Sequence, residues 1–233
     1  MKVEVHSDIA CPWCYIGKHR FERALAAFPG AESVDVVYRP YQLDPGAPEQ
    51  ASSHRAYLDR RYGPGSAAMD ARVAEIGAAE GIAFDFDDAL HVNTLNGHRL
   101  LRLAALEYGP AVQARLKEKL FAARFSNGGN VGDLEQLADL AAEVGIDRER
   151  AAAHLASDEG AAEVREEIAH ARALGITSVP TFVFEGTWAV SGAQEASTFL
   201  RVLEQVAAEI AAGEGGAVSE EDADACANGT CAV

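Results

Sequence analysis

Apolar and polar residues alternate at Val3 and Val5, with Ile9 following after a break, a period of two that predicts a short β-strand at the start of the chain. The period then lengthens, and Phe21, Leu25 and Phe28 fall on one face of an amphipathic helix. Alternation returns at Val34, Val36 and Tyr38 and stops at Pro40. Strand, helix, strand in that order calls for a right-handed crossover that lays the two strands parallel.

From about Ala47 to Gly175 helical spacing takes over in Ala-rich stretches punctuated by glycine and proline, with helices predicted near 51–62, 65–80, 94–108, 110–125, 133–144, 148–156 and 160–174. The clearest keeps Leu134, Leu137, Ala138, Ala141 and Val144 on one face. Asp133 is placed to cap it, Gln136 stands at the capping-box position and Gly145 can end it. Val164, Ile168 and Ala171 repeat the pattern before Gly175, yet no fixed internal period runs through the region, which reads as a helical insert and not a repeat array. Sheet pattern resumes with a strand at Thr181 to Phe184, a tight turn at Glu185 and Gly186, and a second strand from Thr187 to Val190, an antiparallel hairpin. A last helix from Ala193 to Ala212 keeps Phe199, Val202, Leu203, Val206 and Ile210 on one face. The order strand, helix, strand, helical insert, strand, strand, helix defines an α/β fold.

Composition narrows the function classes. The 233 residues are 48% apolar, enough for a well-formed core in one elaborated domain or two small ones. A net charge of −16 argues against nucleic acid or an anionic membrane surface as partner. No apolar run approaches the roughly 20 residues that span a bilayer, and K-V-E-V-H at the start lacks the basic and apolar regions of a signal peptide. The expected location is the cytoplasm. Four cysteines in two closely spaced pairs, Cys11 with Cys14 and Cys226 with Cys231, point in a cytosolic chain to catalysis or metal binding more than to a disulfide framework.

Cys11 stands where the first strand hands over to the first helix. The amides of a first helical turn have no intrahelical partners, and the helix dipole adds positive potential there, so a thiolate at Cys11 is favoured. Pro12 suits that turn because its missing N–H costs nothing. Cys11 is expected as the exposed nucleophile and Cys14, one turn further in, as the thiol that resolves a mixed disulfide. Asp8 opposes the thiolate if its carboxylate lies close. The alternatives are an inert structural pair and half of a zinc site. Further along, His98 and Arg99 open an apolar helix. His98 is a candidate to line the cleft above Cys11 and touch substrate, the alternative being a hydrogen-bonded histidine at a helix surface. Arg39, at a strand end, either faces the site or is solvated. The stretch F-S-N-G-G-N-V-G-D reads as a turn that could border the cleft. Beyond Ile210 the composition, rich in glycine and acid, predicts a mobile arm, in which Asn228 and Gly229 can turn the chain so that Cys226 and Cys231 meet.

C-P-W-C at a strand-to-helix turn, with V-P opening a late hairpin, resembles the thioredoxin fold, and the helical insert between the halves resembles its DsbA-like branch. S-D-I-A-C-P-W-C-Y-I-G-K, R-P-Y-Q-L-D-P, N-T-L-N-G-H-R-L, G-I-T-S-V-P-T-F-V-F and A-V-S-G-A-Q together are similar to the FrnE-type proteins of that branch, over about residues 2–212. The resemblance implies a thioredoxin-like fold of β-α-β and β-β-α halves at 1–46 and 176–212, a helical insertion at 47–175 and an acidic tail at 213–233. It makes Pro180 a cis-proline facing Cys11, with the backbone of Val179 free to pair with an extended substrate. Trp13 then offers an apolar face beside the thiol, and because it stands where DsbA carries histidine, a strongly oxidising potential is not implied. Cys226 and Cys231 become an auxiliary pair exchanging electrons with Cys11 and Cys14, against the alternatives of an inert pair or shared metal binding.

The activity so implied is that of a thiol–disulfide oxidoreductase or isomerase acting on a disulfide-containing protein or a thiol substrate. It needs no bound cofactor and no metal, and glutathione or a thioredoxin-type reductant resets it. In a cytosol at roughly −220 to −320 mV the pair rests reduced, which favours isomerase or reductase work. The same superfamily includes kappa-class glutathione transferases and 2-hydroxychromene-2-carboxylate isomerases, with serine at the first position of the pair, so a glutathione-dependent transferase or isomerase of an aromatic or polyketide-like molecule is the alternative. A zinc-held or chaperone-like binding module is a third reading. A homodimer is compatible with all three.

Overall fold

The computed structural model describes residues 1–213, so Cys226, Cys231 and the rest of the acidic tail lie outside the described residues. Strand β1 (Lys2–Ser7) leads into helix α1 (Pro12–Ala27), and a short 3-10 turn connects to β2 (Asp35–Pro40). The insert opens with β3 (Ser52–Ser53), α2 (His54–Tyr62), α3 (Ser66–Ala79) and β4 (Leu90–His91). It continues with α4 (Leu95–Leu103), which runs on as a π-helical turn (Ala104–Tyr108), then α5 (Pro110–Ser126), α6 (Leu134–Glu143), α7 (Arg148–Ala156) and α8 (Ala161–Ala173). The chain returns to the sheet through β5 (Thr181–Phe184) and β6 (Trp188–Ser191) and closes with α9 (Ala196–Ala211).

The main sheet has the order β2-β1-β5-β6, with β1 parallel to β2 and antiparallel to β5. Val5 of β1 stands between Tyr38 and Phe182 in register. One core joins α1 and α9 to the sheet: Phe21, Phe182, Phe184 and Phe199 are fully buried, with ring centroids 4.5 to 6.3 Å apart. Each such ring contributes about 1.5–3 kcal/mol by leaving water, and the tilted and edge-on contacts add to it.

The insert both covers and completes this sheet. The Gln113 side chain of α5 donates to the Tyr38 carbonyl and accepts from the Tyr38 amide, each at 2.9 Å, so a side-chain amide pairs the outer edge of β2 in the manner of a further strand. Helix α4 comes close enough that a Cβ on Gly97 would lie 2.5 Å from Ile9 Cδ1, so any larger residue there would require the Ile9 side chain to move. Arg99, on the same helix, is buried and donates to the carbonyls of His154, Ser157 and Glu159 at 2.5 to 2.9 Å. A cation thus occupies the C-terminal end of α7, where carbonyls lack helical partners and the dipole is negative.

Local expectations hold with defined differences. Asp133 and Asp147 cap α6 and α7 by accepting from the amides of Gln136 and Arg150. Helix α2 starts at His54 and not at 51, because Ser53 is its N-cap and accepts from Ala56 N at 3.3 Å. The helix expected at 94–108 changes hydrogen-bond pattern at Ala104. The turn of the late hairpin includes Thr187, Glu185 and Gly186 taking φ of 49° and 68°, so β6 begins one residue later than expected. The β3–β4 pair was not foreseen, since strands of two residues carry no periodicity.

Candidate active site

Cys11 is the N-cap of α1, with Pro12 as the first helical residue. Its amide donates to the Asp8 carbonyl at 3.1 Å, and the Cys14 amide donates to the Cys11 carbonyl at 3.1 Å, which fixes both thiols on the first turn. Opposite them the Val179–Pro180 peptide bond is cis, and the Cys11 thiol donates to the Val179 carbonyl at 3.6 Å. Gly17, one turn beyond Cys14, makes room for that loop: a Cβ there would lie 2.9 Å from Pro180 Cγ. Cys11 was expected to be exposed, and the structure corrects this: it is 4% exposed, at the base of a cleft whose walls the sequence does not announce. Cys14 is buried, and burial followed by the adjoining Cys11 sulfur pushes its thiol pKa well above the ordinary value.

Charged groups lie directly beneath. The Asp8 carboxylate is buried and accepts from the amides of Ala10 and Leu43, from Thr94 Oγ1 and from His98 Nε2, at 2.8 to 3.2 Å. Burial would raise its pKa, but the bonds from His98 and the two amides outweigh it and hold the carboxyl below its usual value. Burial likewise draws His98 down against the pull of Asp8, so a neutral imidazole donates to a carboxylate. Two cations of α5 share this interior. Lys117 is fully buried; its Nζ has no hydrogen-bond partner among the described residues and lies 4.8 Å from the centroid of the Phe121 ring. Burial lowers its pKa to about 8, opposed by Cys14, Asp8 and Cys11. Arg124 is 2% exposed, and its Nε and Nη1 also lack partners.

The cleft over Cys11 has a volume of about 280 Å³ and is walled by α2 and α3, including Tyr57, Tyr62 and Met69. Trp13, Leu43, Tyr62 and Met69 are each at least 37% exposed and surround its mouth, so large apolar side chains gather where the thiol opens to solvent. Tyr57 stacks on His91 at 3.6 Å between ring centroids, making one wall flat.

His98, expected to line this cleft and touch substrate, is not among the residues that line it: the ring is buried against Asp8, and it is not at a helix surface either. Arg39 does not face the site, because Glu4 and Glu167 hold it at the outer edge of β2. The glycine-rich stretch after α5 does not border the cleft, because Gly129 packs on the end of that helix and Gly132 against Val92. Among the described residues no three His, Cys, Asp or Glu side chains are grouped to hold a metal ion, and no helix is long and apolar enough to cross a membrane. Sequence reading missed Lys117 and Arg124. Their signal was present: the two cations stand on the stripe Lys117, Phe121, Arg124, spaced by four and three residues, which a buried helix face occupies.

The model of the DSBA-like thioredoxin domain family matches residues 2–204. A probable DsbA oxidoreductase from Streptomyces coelicolor superposes with a TM-score of 0.82 at 38% identity, covering 94% of this chain and 93% of that one. The protein YwbO of Bacillus subtilis (strain 168) is 27% identical over 209 residues, 86% of this chain and 94% of its own length. The cytosolic disulfide reductase DsbM from Pseudomonas aeruginosa shares the fold at 19% identity, with a TM-score of 0.61 and coverage of 88% and 98%.

Proposed function

The chain belongs to the DSBA-like thioredoxin domain family, and from that premise we propose that it is a dithiol–disulfide oxidoreductase or isomerase in which Cys11 attacks and Cys14 resolves. The observation that carries this reading is the pairing of Cys11, at the N-terminus of α1, with the Val179 carbonyl across the Pro180 loop, Cys14 lying one turn deeper. The thiolate of Cys11 attacks one sulfur of a substrate disulfide, forming a mixed disulfide and releasing the other sulfur as a thiolate that takes up a proton. Cys14 then loses its proton and attacks Cys11, expelling the second substrate thiol and leaving a Cys11–Cys14 disulfide that two electrons must reduce.

The buried position of Cys14 supports the division of labour. Its high pKa keeps it protonated and unreactive until the mixed disulfide forms, while the Lys117 ammonium pulls that pKa down from inside. The exposed ring of Trp13 and the backbone of Val179 serve an extended or apolar substrate, and Pro180 holds that backbone in place. A disulfide-containing protein is the proposed substrate, the exchange as proposed needs no bound cofactor, and glutathione or a thioredoxin-type donor resets the pair. A cytoplasmic setting fits this role, in keeping with the cytosolic reductase that shares the fold and is also solved with glutathione.

The test is reduction of insulin by dithiothreitol, catalysed by the wild type, Cys11→Ser and Cys14→Ser. Catalysis is expected to vanish without Cys11, and mixed disulfides to accumulate on Cys11 without Cys14. A wild type no faster than dithiothreitol alone refutes the assignment.

A further inference from the structure

We propose that Arg124 makes the base of the Cys11 cleft a subsite for a carboxylate, carried by a low-molecular-weight thiol or its disulfide. The inference deepens the thiol–disulfide reading and rests on it for the identity of the reacting group. Arg124 and Cys11 line the same cavity of about 280 Å³. The guanidinium is 2% exposed, enters no ion pair, and has Nε and Nη1 without a partner among the described residues. Burial lowers its pKa only to about 10, so it stays charged at neutral pH.

A buried cation without an ion-pair partner among the described residues is costly, and the planar fork of arginine matches the two oxygens of a carboxylate. The carboxylates near it are engaged elsewhere. Asp8 accepts four hydrogen bonds from its own surroundings. Asp70 pairs with Arg55 at 2.9 Å and with His54 at 3.4 Å, and Asp44 lies 3.8 Å from His91. Arg61, the other arginine lining the cavity, is exposed to solvent, so among the described residues Arg124 is the buried charge there left for a ligand. The small volume suits a compact molecule and not a folded domain, and the apolar rim of Trp13, Leu43, Tyr62 and Met69 suits its carbon body.

The thiol serves as the resetting reductant. One molecule attacks the Cys11–Cys14 disulfide at Cys11, forming a mixed disulfide and freeing Cys14 as a thiol. A second attacks the small-molecule sulfur of that mixed disulfide, so that Cys11 leaves as a thiolate and the two small thiols depart as their disulfide. Two small thiols are oxidised and one protein disulfide is reduced.

The experiment compares dithiodipropionate with its neutral diamide as the disulfide attacked by Cys11, in the full chain carrying Cys14→Ser, each rate referred to a free small thiol. The same comparison is made for alkylation of Cys11 by iodoacetate and iodoacetamide, which needs no disulfide. Preference for the anionic member is expected to exceed the free-thiol reference by about tenfold or more. That preference should collapse in Arg124→Gln while the rates with neutral probes hold, and survive in part in Arg124→Lys. Selectivity in the Arg124-containing protein equal to that of the free thiol overturns the subsite without any variant. Anionic and neutral rates falling together in Arg124→Gln also overturn it, and assign Arg124 to the Cys11 thiolate or to packing. If neither disulfide reacts while iodoacetate still outpaces iodoacetamide through Arg124, the exchange reading fails and the anion subsite stands.

Discussion

Replacing Lys117 by methionine is expected to stabilise the protein. The lysine is fully buried with no hydrogen-bond partner among the described residues, and its pKa falls from the ordinary 10.5 to about 8. Between those values the unfolded chain holds a proton that the folded one has released, so stability rises with pH across that window, and the deficit is fully present below about pH 8. A gap of about 2.5 in pKa corresponds to about 3 kcal/mol. Against it stands the contact of Nζ with the Phe121 ring at 4.8 Å, worth about 0.5–2 kcal/mol when desolvated. Lys117→Met should therefore be about 1–3 kcal/mol more stable at pH 7, and by about pH 9.5 some 2 kcal/mol of the wild-type deficit should be gone. Equilibrium unfolding in urea, with reductant present and at both pH values, reads this directly. A variant less stable than wild type at pH 7, or a difference that does not change with pH, would refute the reasoning. The same change removes the cation that favours the Cys14 thiolate, so mixed disulfides on Cys11 should clear more slowly in the stabilised variant.

Other consequences are equally direct. Gly17→Ala sets a methyl 2.9 Å from Pro180 Cγ; insulin reduction should fall more than tenfold for a destabilisation of only about 1–3 kcal/mol, and unchanged turnover would count against the closeness of that contact. Glu118 is held by His19 and Lys18 at a pKa of about 2, against an ordinary 4.5. The stability it contributes is present above about pH 4.5 and is lost as pH falls toward 2, so Glu118→Gln should flatten the acid limb of a stability–pH curve. Asp8→Ala leaves His98, Thr94 and two amides without their acceptor and should cost about 3–5 kcal/mol in thermal or urea unfolding.

What could be read in advance was whatever a local pattern encodes. The alternation of Val3 and Val5, the Pro12 start of α1, and the Asp133 cap that begins α6 at Leu134 depend on neighbours a few residues away. His98 misled because its meaning depends on Asp8, 90 residues earlier, whose buried carboxylate accepts from its ring. Cys11 was placed in the right turn but given the wrong exposure, since α2 and α3 enclose it and their walls follow from tertiary packing. Lys117 and Arg124 were passed over because a charge on an apolar stripe is ordinarily carried out to solvent on its long stem; here both side chains stay buried beside the thiol pair.

The contact between the Cys11 thiol and the Val179 carbonyl spans 168 residues of chain. During synthesis at about 5–20 residues per second, the Cys-Pro-Trp-Cys segment therefore precedes the loop that faces it by on the order of ten to thirty seconds. Strand β1 is without β5, and α1 without Pro180, for that whole interval. The nascent chain thus carries two thiols before the enclosure that later separates a reactive one from a protected one has been made. Differential reactivity is completed only when the last part of the fold, carrying Val179 and Pro180, has been made.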